Sequence, residues 1–373
     1  MQELRARLEK AETEGRRYEA ILNSIPEGII ALDGDLRVIL ANPWLCSFFG
    51  MDTEEKNWRG VSLHEFSRSA ELKDAARQVL STGQPFETAL RRYASGTEQH
   101  FRVFAVPLKE NSGVVMMLGD TSRLAKLEQV RKDFAANVSH QLRTPIQVIK
   151  GFVENLLNSS LDNKVETRRF GEIIRKNAET MENLTSDLLT LVSLEDGDAA
   201  RPAMEETLLS SLISEALLMV EIAARKKNIS IETSCPSELS AKLYGPLIIQ
   251  ALVNLLDNGI KYSGMGSSIK VKAFQEEERL VIEVKDKGIG IPAEHLDRIF
   301  ERFYRVNRLR SRGEDIEPKG GTGLGLAIVR HIALLHHGSA EVESYAGEGS
   351  VFRLRLLPGY EPPPFNQQNS FIS

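Results

Sequence analysis

The chain predicts a multidomain α+β protein, on three observations. Between residues 25 and 120, apolar residues come in short alternating runs, the pattern of half-buried strands. From 121 to 195 the pattern turns helical, broken by one turn near 159–163. From 205 to 358, amphipathic helices alternate with short strands. At 373 residues there is length for two or three domains, each able to bury its own core.

Composition narrows the functional classes. With 42% hydrophobic and 27% charged residues the chain has the make-up of a soluble protein. A net charge of −5 gives no general basis for binding nucleic-acid phosphates. Cys46 and Cys235 match no metal or disulfide spacing, which fits a reducing, cytoplasmic compartment. No apolar run approaches the ~18 residues of a membrane helix, and MQELRARLEK lacks the features of a secretory leader. Any membrane span of a membrane-anchored form would then lie outside this chain.

Residues 1–24 are polar and helix-favouring, with Leu4, Leu8 and Ala11, then Tyr18, Ile21 and Leu22, at heptad-like spacing. This predicts a short coiled-coil helix; a frayed helical end is the alternative for its first residues. GIIAL, the turn residues Asp33, Gly34 and Asp35, then RVILANP read as a hairpin. Short helices around Trp44–Phe49 and Ala70–Leu80 precede three strand candidates, FETALRRY, HFRVFAVPL and GVVMML. This order, with Asn42-Pro43 and the closing Asp120-Thr121, resembles a PAS α/β sensor domain over 25–120. The resemblance leaves the signal or ligand unknown. His64 and His100 read as surface or satisfied core histidines, and Cys46 as a packing residue.

Residues 121–198 read as a helical hairpin. Phe134, Val138, Leu142, Ile149, Phe152 and Leu156 fall within a sector of roughly 80° at about 100° per residue. His140 points away from that stripe, and Arg143, Thr144 and Gln147 share its outer face. Pro145 removes one helical hydrogen bond and should kink the helix just beyond the histidine. In the second helix Phe170, Ile174, Asn177, Met181, Leu184, Leu188 and Leu191 alternate steps of four and three, a coiled-coil seam. A hairpin cannot cover its own stripe, so a dimeric four-helix bundle is expected.

Beyond the linker GDAARPAM, residues 205–358 predict an α/β two-layer sandwich, with helices Leu208–Lys226, Pro246–Lys261 and Thr322–His337 on one face of a mixed sheet. The Pro- and Asn/Gln-rich tail, 359–373, has a disordered composition. Asn254 and Asn258, at i and i+4, share a helix face, where amide oxygens can hold Mg²⁺. Asp286 ends a strand in DKGIGIP, and GGTGLGLAIV is a glycine-rich helix start able to receive phosphate oxygens. Taken singly, each is also ordinary turn or surface chemistry. Their order carries the reading.

Together these boxes resemble the ATP-binding domain shared by histidine kinases, type II topoisomerases, a chaperone family and mismatch-repair ATPases. The resemblance implies ATP and Mg²⁺ as cofactors. Asn258 would be the principal metal ligand with Asn254 beside it, and Lys261 and Tyr262 would reach toward phosphate and adenine. Asp286 would accept the adenine amino group, with Gly288 and Gly290 admitting the backbone to the base. Phe300 and Phe303 match the aromatic box beside a nucleotide lid, Val306 to Lys319. Gly321, Thr322, Gly323, Leu324 and Gly325 complete the phosphate loop.

ATP-hydrolysing relatives carry a glutamate where Asn254 stands, to activate water; an amide cannot accept that proton. The nucleophile implied instead is His140 in VSHQLRTPI. The whole order resembles a two-component sensor histidine kinase of the phosphate-regulon kind, with a homodimer and a response-regulator receiver domain as partners. Gln141, Arg143 and Thr144 complete its implied catalytic set, Thr144 positioning water for regulator dephosphorylation. One departure stands out. The residue after the acceptor is usually Glu or Asp, which takes the imidazole proton, and Gln141 cannot serve as a base. Loss of a general base costs about 10²–10⁴-fold, so slowed autophosphorylation is expected. Two rivals follow: an ATP-binding regulator phosphatase or scaffold with little autokinase activity, and a non-kinase ATPase clamp.

Overall fold

The computed structural model describes residues 13, 14, 17, 20–51, 58–94, 97–108, 113–158, 164–195, 204–306 and 321–359. Most of the expected N-terminal coiled coil, the turn near 159–163, the linker, most of the lid and the tail beyond Gly359 lie outside these residues. Residues 20–24 are helical. The architecture is multidomain α+β, in two compact units that divide between Asp133 and Phe134.

The first unit holds the expected five-stranded sheet. Strands β1 (Gly28–Leu32), β2 (Val38–Ala41), β3 (Phe86–Ala94), β4 (Thr97–Leu108) and β5 (Gly113–Asp120) pair antiparallel in the order β2-β1-β5-β4-β3. Helices α1 (Pro43–Phe49), α2 (Leu63–Ser67) and α3 (Ala70–Thr82) join the two strand groups. Asn42 explains the Asn-Pro pair. Its Oδ1 accepts the Ile29 and Leu45 amides, at 3.0 and 3.2 Å, and its Nδ2 donates to the Glu27 carbonyl at 2.7 Å. One buried side chain thus caps α1 and fixes it to β1. Trp44, Phe48, Phe49, Phe66 and Phe101 pack as an aromatic cluster, with centroids 4.7 Å apart for Phe48 and Phe101. Cys46 is buried among core residues, as expected of a packing residue.

The strand exit is also explained. The Thr121 amide and hydroxyl both donate to the His100 carbonyl, at 2.8 and 3.2 Å, while the Ser122 amide donates to Asp120 Oδ1 at 2.8 Å. Helix α4 (Ser122–Asn158) starts there and runs unbroken through Pro145. Helix α5 (Lys164–Glu195) follows. The stripe residues Phe134, Val138, Leu142, Ile149, Phe152 and Leu156 are half-buried, and His140, Arg143, Thr144 and Gln147 are exposed. Both faces are as the periodicity predicts.

The remaining strands are β6 (Glu205–Leu208), β7 (Ser230–Ser234), β8 (Ser240–Leu243), β9 (Ser268–Glu276), β10 (Arg279–Lys285), β11 (Ser339–Tyr345) and β12 (Gly349–Leu356). Five form a mixed sheet, β11-β12-β10-β9-β7, in which β7 and β9 run parallel. The short antiparallel pair β6–β8 is an element the sequence reading lacked. Helices α6 (Leu209–Lys226), α7 (Gly245–Tyr262), α8 (Ala293–Leu296) and α9 (Gly325–Leu335) complete the unit. Ile248, Leu252, Leu255 and Leu256 of α7 are almost fully buried, worth about 1.5–3 kcal/mol each. His336 is a satisfied core histidine: its Nε2 accepts the Tyr244 amide at 3.2 Å, so Nδ1 carries the proton toward the Ile332 carbonyl, 2.7 Å away. Burial lowers its pKa and keeps it neutral.

The seam of α5 divides. Leu184 and Leu191 are buried in the same core as α6, α7 and α9, with Leu188 against them. Three of the seven seam residues thus serve contact with the α/β layer. Asn177 bonds within its own helix, Nδ2 donating to the Ile173 carbonyl at 2.8 Å.

Candidate active site

Four segments of the second unit meet at the end of α7. The first is α7 itself, which carries Asn254, Asn258, Lys261 and Tyr262 on its C-terminal half, all half-buried. Asn254 Nδ2 donates to the Gly325 carbonyl at 3.2 Å, so this amide ties the asparagine helix to the glycine loop. Asn258 lies one turn further along the same face.

The second segment is the loop after β10. Asp286 is 5% exposed, and its Oδ1 accepts the Gly288 amide at 2.7 Å and the Ser350 amide at 3.2 Å. Among the described residues neither amide engages Oδ2. Burial raises the Asp286 pKa, and the two amides work against that rise. The glycines here are also hemmed in by the domain itself. A Cβ on Gly288 would stand 2.8 Å from both Asp286 Oδ1 and the Tyr262 carbonyl; one on Gly290 would stand 2.0 Å from the Tyr345 carbonyl. Both positions are compelled by close packing of the domain's own backbone.

The third segment, Phe300 to Tyr304, lies beside the glycine loop. Phe303 has a left-handed backbone, φ 61°, and its amide donates to the Gly323 carbonyl at 2.8 Å. Phe300 and Phe303 both pack on the core. Phe134 of α4 lies 5.8 Å from Phe303, ring to ring, with the Arg302 guanidinium 5.7 Å above its face.

The fourth segment is the glycine loop. Gly323, φ 74°, sits against the Phe303 backbone, and a Cβ on Gly321 would come 2.5 Å from Lys261 Nζ. That ammonium is pushed down to about 8 by burial, with the Arg305 charge adding and Asp257 opposing. A bound phosphate would raise that value again. Leu324 is fully buried and anchors the loop, while the Thr322 hydroxyl accepts the Leu324 amide at 3.2 Å. Thr322 also donates to Asp187 Oδ2 of α5 at 2.7 Å. Burial raises the Asp187 pKa against that bond. Ser350 and Asp187 were both missing from the sequence reading. Neither stands in a periodic pattern or a box that could have marked it.

The segment around His140 has a different character. His140 is exposed on α4, and Thr144 Oγ1 donates to its carbonyl at 3.3 Å. Pro145 has no N–H to give the Gln141 carbonyl, four residues back. Gln141 itself is half-buried at the edge of the stripe.

Three family models match segments of this chain. Residues 245–359 match the family described as histidine kinase-, DNA gyrase B- and HSP90-like ATPase. Residues 130–197 match the His Kinase A (phospho-acceptor) domain, and 22–124 the PAS fold. The sensor-like histidine kinase SenX3 of Mycolicibacterium smegmatis is 35% identical over 295 residues, 78% of this chain and 75% of its own. The phosphate regulon sensor protein PhoR of Pseudomonas aeruginosa is 32% identical over 355 residues, 92% of this chain and 76% of its own. A solved structure of the histidine kinase ThkA with the response regulator TrrA aligns over 91% of this chain and 98% of its own, at 24% identity and a TM-score of 0.49. Among the described residues no helix is long and apolar enough to cross a membrane. The chain belongs to the sensor histidine kinases of two-component systems, and its last domain binds ATP.

Proposed function

We propose that His140 is the phosphoacceptor and that the cleft between α7, the Asp286 loop and the glycine loop binds the ATP it consumes. A ring nitrogen of His140 attacks the γ-phosphorus; the bond from that phosphorus to the β,γ-bridging oxygen breaks, ADP leaves, and the ring loses a proton. The phosphoryl group then passes to an aspartate carboxylate on a response-regulator receiver domain, the P–N bond breaking as the new P–O bond forms. One observation carries the reading: Asn254 to the Gly325 carbonyl, Phe303 to Gly323 and Lys261 against Gly321 converge the nucleotide boxes at one place.

Within that cleft Asp286 selects the adenine amino group, and Lys261 with the loop amides receives the phosphates. Asn258, with Asn254 beside it, offers hard amide oxygens to Mg²⁺. Among the described residues no cluster of three acidic, histidine or cysteine groups forms a cage, so the ion would take its other ligands from phosphates and water. When bound, it would neutralise phosphate charge. The proton of His140 has no carboxylate at the next position to receive it, because Gln141 stands there. Thr144, one turn on, would orient water for dephosphorylation of the regulator.

We assign 25–120 to sensing an unidentified signal, 121–198 to dimerisation and phosphotransfer, and 205–358 to catalysis. Exposed Ile146, Val153 and Leu157 on α4, with Val165, Leu189 and Val192 on α5, favour a second copy of the hairpin as partner. ATP and the regulator place the reaction on the cytoplasmic side.

The test is incubation with γ-labelled ATP and Mg²⁺, followed by treatment of the labelled protein with acid and alkali. Acid-labile, alkali-stable label that vanishes in His140→Ala is expected. Label that persists in His140→Ala, or none despite ATP binding, would overturn the assignment.

A further inference from the structure

We infer that Lys227, which lies outside every nucleotide box, is a positioning residue for the ATP site, clamping the last turn of α7 through its carbonyls. The inference rests on the cleft being the nucleotide site. A helix leaves its final carbonyls without intrahelical donors, and buried ones must find partners elsewhere. At the end of α7 the partners can be followed one by one. The Gly259 carbonyl accepts the Ser263 amide at 3.1 Å. The Ile260, Lys261 and Ser263 carbonyls accept Lys227 Nζ, at 2.7, 2.8 and 3.1 Å. The Tyr262 carbonyl accepts the Ile289 amide at 3.3 Å.

All three protons of one ammonium are therefore committed to three carbonyls of one turn. A cation at a helix C-terminus also meets the negative end of its dipole, and its hydrogen bonds are charge-assisted. Lys227 is itself held on both sides. Its amide donates to the Ala224 carbonyl at 3.2 Å, and its carbonyl accepts the Gly266 amide at 2.9 Å. Asn228 turns the chain with a left-handed φ of 54°.

The clamped turn carries Lys261 and Tyr262. It also reaches the adenine side, through the isolated bridge of Ser263 to Gly288 and the Ile289–Tyr262 bond. Gly288 in turn donates to Asp286. Movement of this turn would displace the phosphate lysine and the adenine carboxylate together. Loss of the ammonium should therefore appear in nucleotide binding, with the fold retained.

The experiment uses the full chain and its Lys227→Met, Lys227→Gln and Lys227→Arg variants. ADP affinity, KM for ATP, kcat and melting temperature are measured for each. Lys227→Met is expected to weaken ADP binding and raise KM roughly 10- to 100-fold, the scale of losing charge-assisted hydrogen bonds that hold a binding site in place. Lys227→Arg, which keeps charge and donors, should recover most of the affinity. If Lys227→Met fails to fold, Lys227→Gln, which keeps two donors, is judged by the same criterion. ADP affinity within about twofold of the parent, or loss of kcat alone with KM unchanged, would overturn the inference. A parent chain that binds no ADP would instead overturn the nucleotide site itself.

Discussion

Asp286 and His140 show how differently the two halves of this kinase are made. The carboxylate is buried, holds two backbone amides on one oxygen, and lies in a cleft assembled from four segments. The histidine is an exposed side chain on one helix face, with Thr144 bonding its backbone. On the proposed reading Asp286 is held ready for adenine by bonds within the domain, which would cut the ordering cost of binding. The acceptor must stay accessible, because it serves ATP in one step and the regulator in the next. Substitutions in the first half should therefore act on affinity, and those in the second on chemistry.

The largest effect that could break this comparison is at the acceptor. His140→Ala should abolish phosphorylation while leaving ADP affinity unchanged, as labelling and calorimetry on one preparation would show. Next comes the missing base. Gln141→Glu should raise the autophosphorylation rate by up to about 10²–10⁴-fold, read by single-turnover labelling, with affinity unmoved. A rate equal to that of the parent would mean that another group takes the proton.

On the other side, Asp286→Asn keeps an oxygen for the two backbone amides but turns an NH2 donor, in place of Oδ2, toward the adenine amino group. It should cost about 2–3 kcal/mol, roughly 30- to 150-fold in ADP affinity, by direct titration. The pH dependence follows from the same residue. On the proposed reading the carboxylate form accepts the adenine amino group, and burial raises the Asp286 pKa above its ordinary value. Affinity is then present above the raised value and lost as pH falls through it, sooner than for a solvated aspartate. A titration of affinity from neutral pH downward should show the loss in the parent and a flat profile in Asp286→Asn. Smallest is Asp187→Ala. It frees the Thr322 hydroxyl from one bond, worth about 1 kcal/mol, so ADP affinity should rise a few-fold at most.

The same contrast explains what could be read from sequence. The α4 stripe and the outward face of His140 follow from helical period, and the hairpin of β1 and β2 from Asp33, Gly34 and Asp35, because both are local patterns. The nucleotide boxes were legible as an ordered set. Asp187, Ser350 and Lys227 were not. Thr322 meets Asp187 across 135 positions, and Ser350 meets Asp286 across 64. Such bonds leave no periodicity at either end. The seam of α5 was legible as an apolar stripe, but not which part of it would bury in the α/β core, since both uses require the same leucines. The close contacts that Gly288 and Gly290 make with Asp286, Tyr262 and Tyr345 leave no trace in the sequence for the same reason.

The most direct test places both halves in one measurement: ADP affinity and phosphorylation rate for the parent, His140→Ala and Asp286→Asn under identical conditions. The account predicts a double dissociation, with His140→Ala binding like the parent but acquiring no label, and Asp286→Asn binding weakly yet acquiring acid-labile label at saturating ATP. Loss of ADP binding in His140→Ala, or parental affinity in Asp286→Asn, would contradict it.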